Sequence, residues 1–142
     1  MQEIDKNGMR IYVFDSPKKV PNIKELIRNP ERNIKFIKSC TLNPKDKNAK
    51  LYSYFSSDTY RSFLYAFTYQ LGILPLSSSV RSQFEMNARR FERLCKKREI
   101  VLSELEISIV EKCKNFHDLD LGNKAKAELS KRLLSELIEC YY

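Results

Sequence analysis

Between Val80 and Phe116 the chain contains neither glycine nor proline, and its apolar residues recur with the spacing of a helix. One stripe with a mean step of 3.6 residues passes through eleven positions, nine of them apolar: Val80, Phe84, Ala88, Phe91, Cys95, Arg98, Leu102, Glu106, Ile109, Cys113 and Phe116. A strict heptad starting at Phe84 meets polar residues at several core positions, so a coiled coil is the weaker interpretation. The pattern predicts an amphipathic helix packed on a core, with Phe84, Phe91 and Leu102 buried.

This long helical segment contains one signal for an interruption. The sequence Ser103-Glu104-Leu105-Glu106 matches a capping box, in which a serine and a glutamate three residues later satisfy the first backbone amides of a helix. We therefore predict a kink or break within residues 98–103 and the start of a second helix near Ser103.

Three further segments have helical signals. Residues 22–29 predict a short helix, and a longer helix is expected from Asp58, as N-cap, to Gly72, which suits the left-handed position just past a helix. A last helix is expected from Asn123 to about Tyr141. Its inward-facing residues are expected to be Leu129, Leu133, Leu137 and either Cys140 or Tyr141.

The N-terminal region has a weaker pattern. Residues 9–15 are rich in β-branched and aromatic side chains and predict a strand, and residues 33–42 predict a second one. The expected fold is mainly α: a compact helical bundle built on the long amphipathic helix, with a small N-terminal strand pair. We expect a single domain over residues 1–142, with a basic subregion at 1–50 and a helical subregion at 51–142.

Charge is segregated along the chain. The formal net charge is +8, and residues 80–98 contribute +5 of it whereas residues 99–122 contribute −4. At about 100° per residue, five cations fall opposite the Phe84–Phe91–Cys95 side of the helix: Arg89, Arg90, Arg93, Lys96 and Lys97. Such a face can bind phosphates, with release of counterions. An ordinary solvated face is the competing interpretation, because an amphipathic helix turns its charges to water.

The first 50 residues are also basic, with 12 cations against 6 acidic residues. Lys18 and Lys19 are candidates to extend a nucleic-acid contact. Ser16-Pro17 fits a proline-directed phosphorylation site, where phosphate would offset about two positive charges. A plain turn that ends the preceding strand explains the same residues.

Half of the aromatic residues lie between Tyr52 and Tyr69. Most of those from Tyr60 onward follow helical spacing and are expected in the core, whereas Tyr65 and Tyr69 lie together on another side of the helix. If that pair is exposed, it suits a protein partner better than a nucleic acid, because Arg61 is the one basic residue in the stretch.

Several classes of function find no support in the sequence. Cys40, Cys95, Cys113 and Cys140 are widely spaced and have His117 alone to assist them, so we expect four reduced thiols and no zinc site. No nucleotide-binding or zinc-protease motif occurs, so we expect no cofactor and no catalysis. Neither a secretory signal nor a bilayer-length apolar segment is found, so we expect a nuclear or cytoplasmic protein without a membrane partner.

Two hypotheses for function remain. The sequence favours a non-catalytic basic module that associates with nucleic acid, or with an acidic protein surface, through the basic helix face. The alternative is a helical protein–protein adaptor or oligomerisation domain that uses an aromatic-rich surface and engages a protein partner or its own copy.

Overall fold

The computed structural model describes residues 2–6, 9–13, 21–39, 59–74, 78–119 and 122–142. Six α-helices contain most of these residues. They are α1 (Ile23–Arg28), α2 (Ile34–Ser39), α3 (Tyr60–Ile73), α4 (Ser78–Lys97), α5 (Glu104–Lys114) and α6 (Asn123–Tyr141). A 3₁₀ turn, Phe116–Asp118, lies between α5 and α6. The expectation of a mainly helical, compact fold is confirmed.

The strand pair expected from residues 9–15 and 33–42 is not supported, because residues 34–39 form helix α2. The described strand β2 (Met9–Val13) is instead antiparallel to β1 (Gln2–Lys6), with Gln2 opposite Val13. Phe36 and Ile37 are both buried, and the Phe36 ring lies 5.4 Å from that of Phe63 in α3. Two consecutive residues can both face α3 from a helix, whereas a strand would turn them to opposite sides.

The predicted break between α4 and α5 is confirmed. The amide of Glu99 donates to the carbonyl of Lys96, and the amide of Ile100 donates to that of Cys95, which is the hydrogen-bond pattern of a Schellman motif. Glu99 has a φ of 57°, the left-handed conformation that this motif requires. Ser103 and Glu106 then form the expected capping box, with N···O distances of 2.9 and 3.2 Å.

The centre of the core is the ring of Phe67 in α3. It makes edge-on contacts with Phe84 and Phe91 of α4, at centroid distances of 5.8 and 5.4 Å. Both α4 rings are fully buried, as predicted, whereas Leu102 is only partly buried against the core. The reason is that α4 ends at Lys97, so the helical period does not continue to position 102.

Helix α6 packs closely on α3 through small and polar side chains. Gly72 lies inside α3, not past its end as predicted, and an added Cβ would come within 2.8 Å of the Cβ of Ser130 in α6. The Ser130 hydroxyl donates to the carbonyl of Thr68, and the buried Lys126 ammonium donates to that of Leu74. The inward-facing residues of α6 are those expected: Leu133 and Leu137 are buried, and Leu129 and Tyr141 are partly buried against the core, whereas Cys140, the alternative to Tyr141, is exposed.

We predict that Gly72→Ser lowers the free energy of unfolding by about 1–3 kcal/mol, because the added side chain overpacks the α3–α6 contact. The matched control is Gly122→Ser, where no atom lies within 4 Å of an added Cβ. Because Gly122 is the N-cap of α6 and serine caps at least as well, that variant should change stability by less than about 0.5 kcal/mol. Urea unfolding of both variants measures the difference, and equal effects would contradict the close-packing argument.

A second prediction concerns Glu99. Its left-handed backbone conformation costs a residue with a Cβ about 1–2 kcal/mol, so Glu99→Gly should raise the free energy of unfolding by about 1 kcal/mol. Glu99→Ala removes the charge but keeps the Cβ, and the difference between the two variants in chemical denaturation isolates the backbone contribution. No difference between them would show that Glu99 is not strained.

Candidate nucleic-acid interface

The solvent-facing side of α4 carries most of the predicted cations. Because Phe84 and Phe91 point into the core, the residues on the opposite side of the helix project outward. Four of the five predicted cations are exposed and Arg90 is partly buried at the edge of this side. We call the exposed set Arg89, Arg93, Lys96 and Lys97 the α4 cationic face. At 1.5 Å per residue it extends along about 12 Å of helix.

The two acidic residues of α4 lie to the side of this face and are already paired. The Glu85 side chain is 7% exposed, accepts a hydrogen bond from the backbone amide of His117 at 2.9 Å, and contacts the Nδ1 of that ring at 2.7 Å. Glu92 accepts from the Lys114 ammonium at 3.0 and 3.1 Å. Both carboxylates are therefore engaged within the fold, and Glu85 also lies 3.9 Å from Arg89 of the cationic face.

Lys114 joins two helices through its ammonium group. It lies 2.7 Å from a Glu111 oxygen of its own helix and 3.0 Å from a Glu92 oxygen of α4. Hydrogen bonds with Glu111 and then Glu92 raise the pKa of Lys114, so the ammonium stays charged and remains paired with both carboxylates.

The four members of the cationic face are not equivalent. Arg89 donates through Nη2 to the carbonyl of Lys114 at 3.1 Å and lies 3.9 Å from Glu85, so it is partly engaged in holding the end of α5. Among the residues that the structure describes, no carboxylate lies within ion-pair distance of Arg93, Lys96 or Lys97. These three side chains can therefore meet an external anion without breaking a described ion pair.

The other predicted site residues have different surroundings. Ser16, Lys18 and Lys19 lie outside the described residues.

Tyr65 is buried and Tyr69 partly buried, with their rings stacked at 6.4 Å. Burial, and then the neighbouring Tyr69, raises the pKa of Tyr65. The pair lines a groove of about 350 Å³ between α3 and α6, whose rim includes the exposed Ile73.

Two arrangements of side chains were not predicted from the sequence. In the first, His117 has its Nδ1 against Glu85 and its Nε2 3.1 Å from Asp118. The second arrangement is a group of cations and tyrosines from α1, α3 and the end of α6: Lys24, Tyr60, Arg61, Tyr141 and Tyr142. Its members are up to 118 residues apart in the chain, so no local spacing signals their proximity.

The comparisons with known proteins add no family. No protein-family model matches the chain, and no curated protein or solved structure shows significant similarity to it. Within the described segments, none of the helices combines the length and the apolar character that crossing a bilayer requires. In the same segments, histidine, cysteine and acidic residues form no cluster of three or more that could hold a metal ion.

The cysteines differ strongly in their accessibility. Cys95 and Cys113 are free and buried, Cys140 is free and exposed, and Cys40 lies outside the described residues. Burial raises the pKa of Cys95 to about 12, and burial also raises the pKa of Cys113. Both thiols stay protonated at neutral pH, and a protonated thiol is a poor nucleophile.

We predict that iodoacetamide at about pH 8.5, the ordinary pKa of a free thiol, alkylates Cys140 in the native protein while Cys95 and Cys113 remain unmodified. Adding denaturant should expose all of them to the reagent. Peptide mass spectrometry measures the modification at each site. Equal labelling of Cys95 and Cys140 in the native protein would contradict the burial of Cys95 against α5.

Proposed function

We propose that this protein is a non-catalytic nucleic-acid-binding module that contacts the sugar–phosphate backbone through the α4 cationic face. One observation carries the proposal: Arg93, Lys96 and Lys97 are exposed without a described carboxylate partner, whereas the acidic residues of the same helix are paired with His117 and Lys114. A face of uncompensated positive charge attracts a polyanion, and each neutralised phosphate releases condensed counterions.

Backbone contact without base readout is the mechanism that this face supports. Besides its cations, the exposed side of α4 offers Ser82 and Met86, and Asn87 is buried. Among the described side chains of α4, no Asn or Gln, the residues that pair with adenine edges, is fully exposed, since Gln83 is only partly so. Arg93, Lys96 and Lys97 lie within five consecutive residues, a span of about 6 Å, which suits contacts to neighbouring phosphates.

A second candidate is a protein–protein adaptor that binds through the groove between α3 and α6. The observation that favours it is the exposed Ile73 beside the partly exposed Tyr69 at the rim of that groove. An exposed aliphatic next to an aromatic ring is typical of a surface that buries an apolar side chain of a partner. A partner protein or a second copy of this chain is the corresponding ligand.

The test of the leading proposal is a triple variant, Arg93→Gln, Lys96→Gln and Lys97→Gln, which leaves the Arg89 contact with α5 intact. We predict that it weakens binding to duplex DNA uniformly across sequences. The slope of log K against log salt should fall by up to about 2.7, because as many as three phosphate contacts are lost. Fluorescence anisotropy at several salt concentrations measures both quantities.

The matched control removes an equal number of positive charges from α6. Its substitutions are Lys124→Gln, Lys131→Gln and Arg132→Gln, all at exposed positions. Both triple variants have a formal net charge of +5, so net charge alone cannot distinguish them. The α6 variant should keep most of the affinity and of the salt slope. If both variants lose binding equally, or if the wild type shows no salt-sensitive binding to DNA or RNA, the proposal is wrong.

A further inference from the structure

Two cations and three tyrosine rings converge where α1, the start of α3 and the end of α6 meet. The Arg61 guanidinium lies 5.7 Å from the ring centroid of Tyr60 and 5.5 Å from that of Tyr141. The Lys24 ammonium lies 5.9 Å from the ring of Tyr142. We call these five residues the tyrosine–arginine platform.

The platform is open to solvent on its outer side. Arg61 and Lys24 are exposed, Tyr60 and Tyr141 are partly buried, and the Tyr142 side chain is 67% exposed. Within the described part of the chain, neither cation forms an ion pair with a carboxylate. Positive charge and aromatic surface are therefore presented together and outward.

The inner side of the platform is held in place by a buried carboxylate. The Tyr141 hydroxyl donates to Glu106 at 3.4 Å, and the other Glu106 oxygen accepts from the Ser103 amide at 2.9 Å. Burial, and then the Glu106 charge, raises the pKa of Tyr141, so its hydroxyl stays protonated and keeps this hydrogen bond. Glu106 is itself 5% exposed, so its carboxylate is largely shielded from direct contact with an external ligand.

We infer that the tyrosine–arginine platform binds single-stranded nucleic acid, with a base stacked on the exposed Tyr142 ring and the phosphates beside it contacting Arg61 and Lys24. Aromatic rings interleaved with cations are the surface that unpaired bases recognise, because every base has a π-face and every nucleotide carries a phosphate. The exposed Arg61 guanidinium is a second planar group on which an unpaired base can stack. Bases inside a duplex are already stacked and cannot use either surface.

This inference rests on the proposed function and specifies its substrate as single-stranded. The platform and the C-terminal part of the α4 cationic face lie at the same end of the bundle, where α3 and α5 begin and α4 and α6 end. Glu106, which contacts Tyr141, is close enough to Cys95 in the last turns of α4 to raise the pKa of that thiol further, beyond the effect of burial.

The experiment compares Tyr142→Leu with Tyr142→Phe, which keeps the ring. The probes are labelled oligothymidine of about 16 nucleotides, the upper site size of one OB-fold, and a duplex of equal length, both followed by anisotropy. Tyr142→Leu should weaken binding of the single strand by about 5-fold or more, the usual effect of losing one base–aromatic stack. Its salt slope should not change, because no phosphate contact is lost. Tyr142→Phe should bind like the wild type, and duplex binding should be unaffected by either change.

The outcomes separate this inference from the proposed function. If Tyr142→Leu binds oligothymidine as the wild type does, while the α4 triple variant loses affinity, the platform is wrong and the α4 proposal stands. If neither nucleic acid binds the wild type, both fail. If polyglutamate displaces oligothymidine at equal charge concentration and Tyr142→Leu weakens both ligands alike, the surface recognises acidic protein, which also overturns the inference.

Discussion

The contact of Phe67 with Phe84 and Phe91 fixes how α4 is rotated about its own axis, and the charged surface follows from that rotation. Two fully buried rings nearly two turns apart leave α4 a single way to face the core. The same packing that stabilises the bundle thereby turns Arg93, Lys96 and Lys97 to solvent. A rotation of one residue position, about 100°, would bury part of this charge and expose a phenylalanine.

The Schellman motif at the end of α4 has an equally direct consequence for charge. It reverses the chain so that α5 runs back beside α4, and the end of α5 and the 3₁₀ turn reach the middle of α4. Lys114 then meets Glu92, and His117 meets Glu85. Both acidic residues of α4 thus have partners within the fold, whereas Arg93, Lys96 and Lys97 have no carboxylate partner among the described residues. The charge of these three cations is therefore presented to solvent.

Features set by neighbouring residues could be predicted from the sequence, whereas features set by contacts between distant segments could not. The α4 stripe, the break after Lys97 and the capping box at Ser103 depend on local spacing. The error at residues 33–42 arose because a short segment with apolar residues at positions 34, 36 and 37 fits a strand as well as a helix, and only packing on α3 decides between them. A glycine is common at the end of a helix, which is why Gly72 was expected there. Its role is instead to let α6 pack closely against α3. The sequence indicated the α4 cations, but not the contact that engages Arg89, nor the platform.

The most direct test of the claim that the rotation of α4 creates the binding surface is an NMR titration of the isotopically labelled chain with oligothymidine. The account predicts that, outside the tyrosine–arginine platform, the largest changes in amide and side-chain shifts occur at Arg93, Lys96 and Lys97, with Phe84 and Phe91 nearly unchanged. Changes confined to the groove between α3 and α6, or shift changes too small to localise at saturating oligonucleotide, would contradict it.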